Sequence, residues 1–134
     1  MKDYVINIKI KLAALWTSVT FLYIYGDYFE LYAPGKVDSL ITGENNLSSP
    51  TLLLIASIIL AIPSLMIFLS LILKPNLNKW LNIVFGLLFT LMMLLIAVLS
   101  LTPWYSFYVF YAVLESILTA TIVWYAFKWP GENN

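Results

Sequence analysis

Four long apolar stretches dominate the pattern of hydrophobic and polar positions in this chain. They predict membrane spans at residues 12–33, 51–73, 80–100 and 104–127. Each is at least as long as the roughly 20 residues that a helix needs to cross the hydrocarbon of a bilayer. The pattern therefore predicts an all-α integral membrane protein, an antiparallel four-helix bundle that forms one domain over residues 1–134.

Prolines mark the boundaries between the predicted spans. The breaker pair Pro34-Gly35 ends the first span. Ser49-Pro50 starts the second span as N-cap and first helical position, and Thr102-Pro103 repeats this start for the fourth. The segment Lys74–Lys79 is predicted to be a tight turn, and apolar residues at helical spacing within 37–41 predict a short interfacial helical turn on the membrane surface.

The lysines predict the orientation of the bundle. An even number of spans places both termini on one side, and cytoplasmic segments carry an excess of lysine and arginine. Only Lys36 falls on the opposite side. Both termini are therefore predicted to be cytoplasmic, in a multi-pass protein of the cytoplasmic membrane of a prokaryote. The six lysines on the terminal side are Lys2, Lys9, Lys11, Lys74, Lys79 and Lys128.

Composition supports the membrane class and excludes several kinds of chemistry. Hydrophobic residues make up 62% of the chain and charged residues 10%, against roughly 25% charged in soluble domains. Seven lysines balance seven acids, so a nucleic acid partner is not expected. Cysteine and histidine are both absent, which excludes thiolate nucleophiles, imidazole bases and histidine-ligated metals. No cofactor and no metal are expected.

Polar and small residues recur at helical spacing within each predicted span, so each set shares one helix face. Because lipid tails cannot form hydrogen bonds, these faces are predicted to turn inward. In the second and third spans the faces comprise Ser57, Ala61 and Ser64, and Asn82, Gly86, Thr90, Met93, Ala97 and Ser100. In the first and fourth spans they comprise Trp16, Thr20, Tyr23, Asp27 and Glu30, and Trp104, Tyr108, Tyr111, Glu115 and Thr119.

Glu115 is the principal candidate residue. At roughly 1.5 Å per residue it lies about 16 Å from the outer end of its helix, near the bilayer centre. A carboxylate there costs on the order of 2.5–3.5 kcal/mol, and desolvation favours the neutral acid. Tyr111 and Thr119, one turn away on either side, are placed to hydrogen-bond it. Glu115 is either a structural acid bonded to a neighbouring helix or a group that binds a ligand, proton or ion.

The candidate ligand-binding residues are Glu115, Tyr111, Tyr108, Asp27, Tyr23 and Thr119. Two placements of Asp27 remain open at this point. If the first helix starts near Leu12, Asp27 lies within the outer third of the membrane, level with the tyrosines of the fourth span. If the helix starts near Tyr4, Gly26 could end it and both Asp27 and Glu30 would face water.

Several short segments resemble a family of small, uncharacterised four-helix prokaryotic membrane proteins. They are Leu12-Ala-Ala-Leu-Trp16, Asn78-Lys-Trp-Leu-Asn82, Leu114-Glu-Ser116 and Ile122-Val-Trp-Tyr-Ala-Phe-Lys-Trp129. That family is loosely similar to the DoxX-like group, some of whose members are linked to quinone-dependent redox systems. The resemblance implies a four-helix fold but supplies no catalytic residues.

Three kinds of function fit these observations. The first is binding or transport of a small ligand, proton or cation at Glu115. The second is an accessory subunit of a membrane complex, whose polar faces only hold the bundle together. The third is an enzyme acting on a quinone or sterol-like substrate, with Asp27 and Glu115 as acid and base and Trp16 or Trp104 stacking on a ring. The partners expected are the lipid bilayer, a small or lipid-soluble ligand and, in a homo-oligomer, further copies of the chain.

Overall fold

In the computed structural model, the described residues 5–44 and 49–130 form helices and no strand. This confirms the all-α prediction, and four of the helices are long and apolar enough to cross a membrane. A 3-10 turn at Pro103–Tyr105 leads into the last helix. The helices are α1 (Ile8–Glu30), α2 (Lys36–Thr42), α3 (Pro50–Ile72), α4 (Pro75–Leu99) and α5 (Ser106–Lys128).

Capping groups explain where the helices begin. The Asn7 side chain accepts a hydrogen bond from the Lys9 amide at 2.8 Å, so α1 starts at Ile8 rather than near residue 12. The predicted Ser49 cap is confirmed, since its hydroxyl accepts from the Leu52 amide at 3.0 Å. The predicted turn over Lys74–Lys79 was wrong, because Pro75 occupies the first position of α4, where a missing N–H costs nothing.

The four long helices form a bundle in which each helix contacts the long helix next to it in the sequence, and α1 also contacts α5. α1 packs against α3 and α5, and α4 packs against α5 and more sparsely against α3. The Lys11 ammonium lies 5.2 Å from the Tyr125 ring centroid, while the Tyr105 hydroxyl reaches Glu30 at the other end. α1 and α5 are therefore antiparallel. The membrane orientation stays a prediction, and Lys2 lies outside the described residues.

A buried polar network joins α1, α3 and α4 in the half of the bundle that holds the start of α1. Trp16 Nε1 donates to Asn82 Oδ1 at 2.7 Å, and Asn82 Nδ2 donates to Asn78 Oδ1 at 2.7 Å. Asn78 Nδ2 in turn donates to the Ser70 carbonyl at 2.7 Å. All four residues are fully buried, so these bonds replace those that water would otherwise make.

The predicted inward face of α4 is confirmed for four of its six residues, and the other two, Thr90 and Ser100, are partly buried. The four buried residues are Asn82, Gly86, Met93 and Ala97. A Cβ atom at Gly86 would lie only 2.7 Å from Val123 Cγ2, so the glycine permits the close approach of α4 to α5.

The predicted inward face of α3 was wrong. Ser57, Ala61 and Ser64 are exposed, and α3 instead buries Pro63, Met66 and Ser70. Helical spacing shows which residues share a face but does not show which way that face points. The Ser57 hydroxyl donates to the Leu53 carbonyl at 2.8 Å, so it is satisfied within its own helix and is compatible with lipid.

The connection between α1 and α3 contains the predicted short helix. α2 begins after Gly35 and ends before Gly43, both at positive φ, 80° and 79°, which glycine adopts without steric cost. None of its residues is buried, and Ile41 is 77% exposed. The position of α2 on the membrane surface stays a prediction.

Candidate functional site

A cavity of about 360 Å³ lies between α1, α3, α4 and α5. Polar groups reach it from α1 and α5, whereas its remaining wall comes from apolar residues of α3 and α4. Five of the six predicted site residues line it, and Thr119 does not. The five are Tyr23, Asp27, Tyr108, Tyr111 and Glu115.

Glu115 is the buried acid of this cavity, with 5% of its surface exposed. Among the described residues, no group hydrogen-bonds its carboxylate. The Thr119 hydroxyl contacts the backbone carbonyl of Glu115 at 2.9 Å and the Thr90 hydroxyl at 2.7 Å. Thr119 therefore links α5 to α4 below the cavity, and the predicted hydrogen bonds from Thr119 and Tyr111 to the carboxylate are not formed.

Tyr23 presents a second polar group without a partner. Its side chain is 9% exposed, and its hydroxyl is buried with no hydrogen-bond partner in the described part of the chain. The ring packs on Phe89 at a centroid distance of 5.9 Å, which holds it in the core beside the cavity. A buried hydroxyl of this kind calls for an explanation, such as a bound molecule that completes its hydrogen bonding.

Asp27 and the tyrosines of α5 meet where α1 approaches α5 closely. A Cβ atom at Gly26 would lie 3.3 Å from Tyr111 Cδ2 and 4.0 Å from Tyr108 Cε1, so the glycine admits both rings. Gly26 lies inside α1 rather than at its end. Asp27 borders the cavity but keeps an exposed surface, so it lies at the edge of the site and Glu115 lies inside it.

A second cavity of about 450 Å³ adjoins the first at the end of α1. We call it the vestibule; it shares Ile96 and Tyr108 with the Glu115 cavity. At its edge the Lys36 ammonium lies 3.2 Å from the Glu30 carboxylate, which also accepts a hydrogen bond from the Tyr105 hydroxyl at 3.4 Å. Glu30 is thus an acid paired with a lysine at the end of α1. The sequence did not reveal this pairing because Lys36 lies beyond the end of α1.

Neither tryptophan proposed for ring stacking lines the Glu115 cavity. Trp16 is fully buried and belongs to the polar network with Asn82. Trp104 is 66% exposed and borders a separate aromatic groove with Phe107. The tryptophan part of the enzyme hypothesis therefore has no counterpart in this site.

The apolar wall of the cavity was missed by sequence reasoning, apart from Met93. An apolar side chain in a membrane helix has the same pattern whether it faces lipid, a neighbouring helix or a cavity, so no signal in the sequence identified these residues. The wall consists of Ala56, Ile59 and Leu60 from α3 and Met92, Met93 and Ile96 from α4.

The arrangement is suited to binding a cation or a hydrogen-bond donor. Two carboxyl groups face the cavity, and no lysine is among the described residues that line it. A buried carboxylate is stable only when it is protonated or paired with a positive group. These features define a small helical protein with four potential membrane spans and an acidic internal cavity.

The chain belongs to a family of unknown function, DUF6326, which matches residues 2–134. No curated protein and no solved structure matches it. The family match supports the resemblance to a small uncharacterised family. Nothing in these comparisons links the chain to the DoxX-like group, and that part of the resemblance is unsupported.

Proposed function

We propose that this protein is a multi-pass membrane protein that binds a small cationic or hydrogen-bond-donating ligand at Glu115. One observation carries the proposal. The Glu115 carboxylate is buried on a 360 Å³ cavity and has no hydrogen-bond partner among the described residues. A structural acid would bond a neighbouring helix, whereas this one faces a space large enough for a ligand.

The size of the cavity fits this role. Small-molecule sites occupy roughly 300–1,000 Å³ and combine mostly apolar walls with a few placed polar groups. The Glu115 cavity lies at the lower end of that range, which suits a small ligand. Tyr23 and Tyr108 add hydroxyl groups that can orient the ligand beside the acid.

Exchange between a proton and a ligand follows from the charges of the site. With no lysine among the lining residues that the structure describes, a proton or a cationic ligand must compensate Glu115, and each excludes the other. The vestibule adjoins the cavity through Tyr108 and offers a path for the proton. If the end of the bundle with more lysines is cytoplasmic, this path leads to the outer side of the membrane. We therefore extend the proposal to proton-coupled transport of the ligand.

The test is ligand-dependent unfolding of the purified protein with a panel of small ammonium ions and their neutral alcohol analogues. A ligand at 100 times its Kd stabilises the folded state by about 2.7 kcal/mol. We expect stabilisation by at least one ammonium ion in the wild type and in Glu44→Gln, and none in Glu115→Gln. Glu44 is exposed in the connection after α2, so its substitution removes the same charge away from the cavity.

Equal stabilisation of Glu115→Gln and the wild type by every ligand would remove Glu115 from the site. The protein would then be better described as an accessory subunit, since its buried acid would have no ligand to bind.

A further inference from the structure

We infer that the ligand is an amphiphilic amine, whose ammonium group meets Glu115 and whose apolar chain lies against the α3–α4 wall and reaches the bilayer. This inference rests on the proposed function and names the class of ligand. It is carried by the two-sided lining of the cavity, the loose packing of α3 and the unpartnered hydroxyl of Tyr23.

The two sides of the cavity differ in chemistry. α1 and α5 contribute carboxyl and hydroxyl groups, whereas α3 and α4 contribute only apolar side chains such as Ile59 and Met92. A small hydrated cation would gain no favourable contact with the apolar α3–α4 wall. A molecule with one charged end and one apolar end would match both walls at once.

The first half of α3 leaves the apolar side open to lipid. Its buried residues, Pro63, Met66 and Ser70, all lie in its second half, and no residue of 50–62 is buried. α3 also packs against α4 only sparsely. Leu60 lines the cavity and is itself 39% exposed, so the cavity wall is also part of the lipid-facing surface.

The polar end of the ligand has a second partner in Tyr23. Its buried hydroxyl has no partner among the described residues, and the residue lines the cavity. An ammonium group carries up to three N–H donors. It can therefore donate to the Glu115 carboxylate and the Tyr23 oxygen together. A neutral alcohol has only one O–H donor, and an alkyl chain has none.

The test measures protection of Glu115 from the apolar carboxyl reagent dicyclohexylcarbodiimide in lipid nanodiscs, read by peptide mass spectrometry. The probes are dodecylammonium, ethylammonium and 1-dodecanol, and labelling is normalised to each variant without probe. We expect dodecylammonium to protect at about 100-fold lower concentration than ethylammonium, because burying three to four methylenes against the cavity wall strengthens binding roughly fourfold for each. Dodecanol should not protect.

A pair of variants separates recognition of the chain from its partition into lipid. Ala56→Phe places a ring on the cavity wall, whereas Leu54→Phe places the same ring on the exposed face of α3, where Leu54 is 60% exposed. Ala56→Phe should weaken protection by dodecylammonium about tenfold and leave ethylammonium unchanged. Leu54→Phe should change neither.

The possible results distinguish this inference from the proposed function. Equal effects of Ala56→Phe on both ammonium ions, or on neither, would overturn the amphiphile while leaving binding at Glu115 intact. Equal protection by dodecanol and dodecylammonium would also overturn it, since the charge would not be recognised. If no ammonium ion protected Glu115 at any concentration, both the inference and cation binding at Glu115 would fail.

Discussion

At the scale of single residues, two sets of buried polar groups differ in whether their side chains find hydrogen-bond partners. Trp16, Asn78 and Asn82 bond one another and are fully buried, so they stabilise the fold. The Tyr23 hydroxyl is buried without a hydrogen-bond partner in the described chain, and the Glu115 carboxylate, also without one, lines the cavity; on our proposal a ligand serves both. The bonded set lies in the half of the bundle that holds the start of α1, whereas the second set borders the cavity for which we propose a ligand.

Replacing Asn82 with alanine tests the structural set. The substitution removes the acceptor of the Trp16 indole and the donor to Asn78, and leaves buried groups unpaired at a cost of about 1–3 kcal/mol. We expect the free energy of unfolding in mixed micelles to fall by about 2 kcal/mol. Asn76→Ala, at an exposed position on the same helix, should change it by less than about 0.5 kcal/mol. Similar losses in both variants would contradict the network's role.

Replacing Tyr23 with phenylalanine tests the binding set. Because the hydroxyl has no partner among the described residues, its removal should leave the unfolding free energy of the ligand-free protein unchanged or raise it by about 1 kcal/mol. Stabilisation by the best ammonium ligand should fall at the same time. Tyr25→Phe, at a site 50% exposed, is the matched control and should alter neither quantity. A loss of ligand-free stability would show that the hydroxyl bonds within the protein.

At the scale of the helices, α4 and α5 form a closely packed pair, whereas the first half of α3 is loosely packed. Gly86 brings α4 close to α5, and the hydroxyls of Thr90 and Thr119 join them at 2.7 Å. The first half of α3, in contrast, has no buried residue. The tight pair gives Glu115 a rigid support, and the loosely packed half of α3 leaves the cavity open on its apolar side.

Sequence reasoning succeeded for helices whose inward face carries strongly polar or conformationally special residues. Asn82 and Gly86 on α4, and Glu115 on α5, identified their faces correctly because each is costly or unfavourable against lipid. Ser57 and Ser64 misidentified the face of α3, since a serine can bond its own helix backbone and then tolerate lipid. The start of α4 was missed because Lys74–Lys79 was assigned to a turn, whereas Pro75 in fact opens the helix.

Enlarging Gly86 tests the tight pair. Gly86→Leu forces its side chain toward Val123 and the Thr119 carbonyl, which a Cβ alone would meet at 2.7 and 3.3 Å. We expect a loss of about 2–3 kcal/mol in unfolding free energy, as for overpacking of a core. Ala61→Leu on the exposed face of α3 is the control, with a change within about 0.5 kcal/mol. A destabilising Ala61→Leu would show instead that this face is packed.

At the scale of the whole molecule, the four-span bundle follows from hydrophobic length and proline positions, and the structure bears out its helical content. The acidic side of the site was also predictable, because Asp27, Tyr108 and Glu115 stand out in an apolar chain. The apolar wall and the vestibule were not predictable, since they depend on how far α3 separates from α4 and on where α2 places Lys36.

Orientation in the membrane is a whole-molecule prediction that cysteine labelling can check. The chain has no cysteine, so single introduced thiols report without background. In intact cells an impermeant maleimide should label Asp38→Cys in α2, whereas Lys128→Cys at the end of α5 should react only after the membrane is opened. This follows from the excess of lysine at the end of the bundle that holds Lys128. The opposite labelling pattern would invert the topology and place the vestibule on the cytoplasmic side.

Native mass spectrometry tests most directly whether the buried carboxylate holds a ligand. Wild type, Glu115→Gln and Glu44→Gln are extracted from expressing membranes in mild detergent, and the small molecules released from each are compared. We predict that the wild type and Glu44→Gln release the same small molecule, one per chain, and that Glu115→Gln releases none of it. An identical set of released molecules from all three proteins would contradict a ligand site at Glu115.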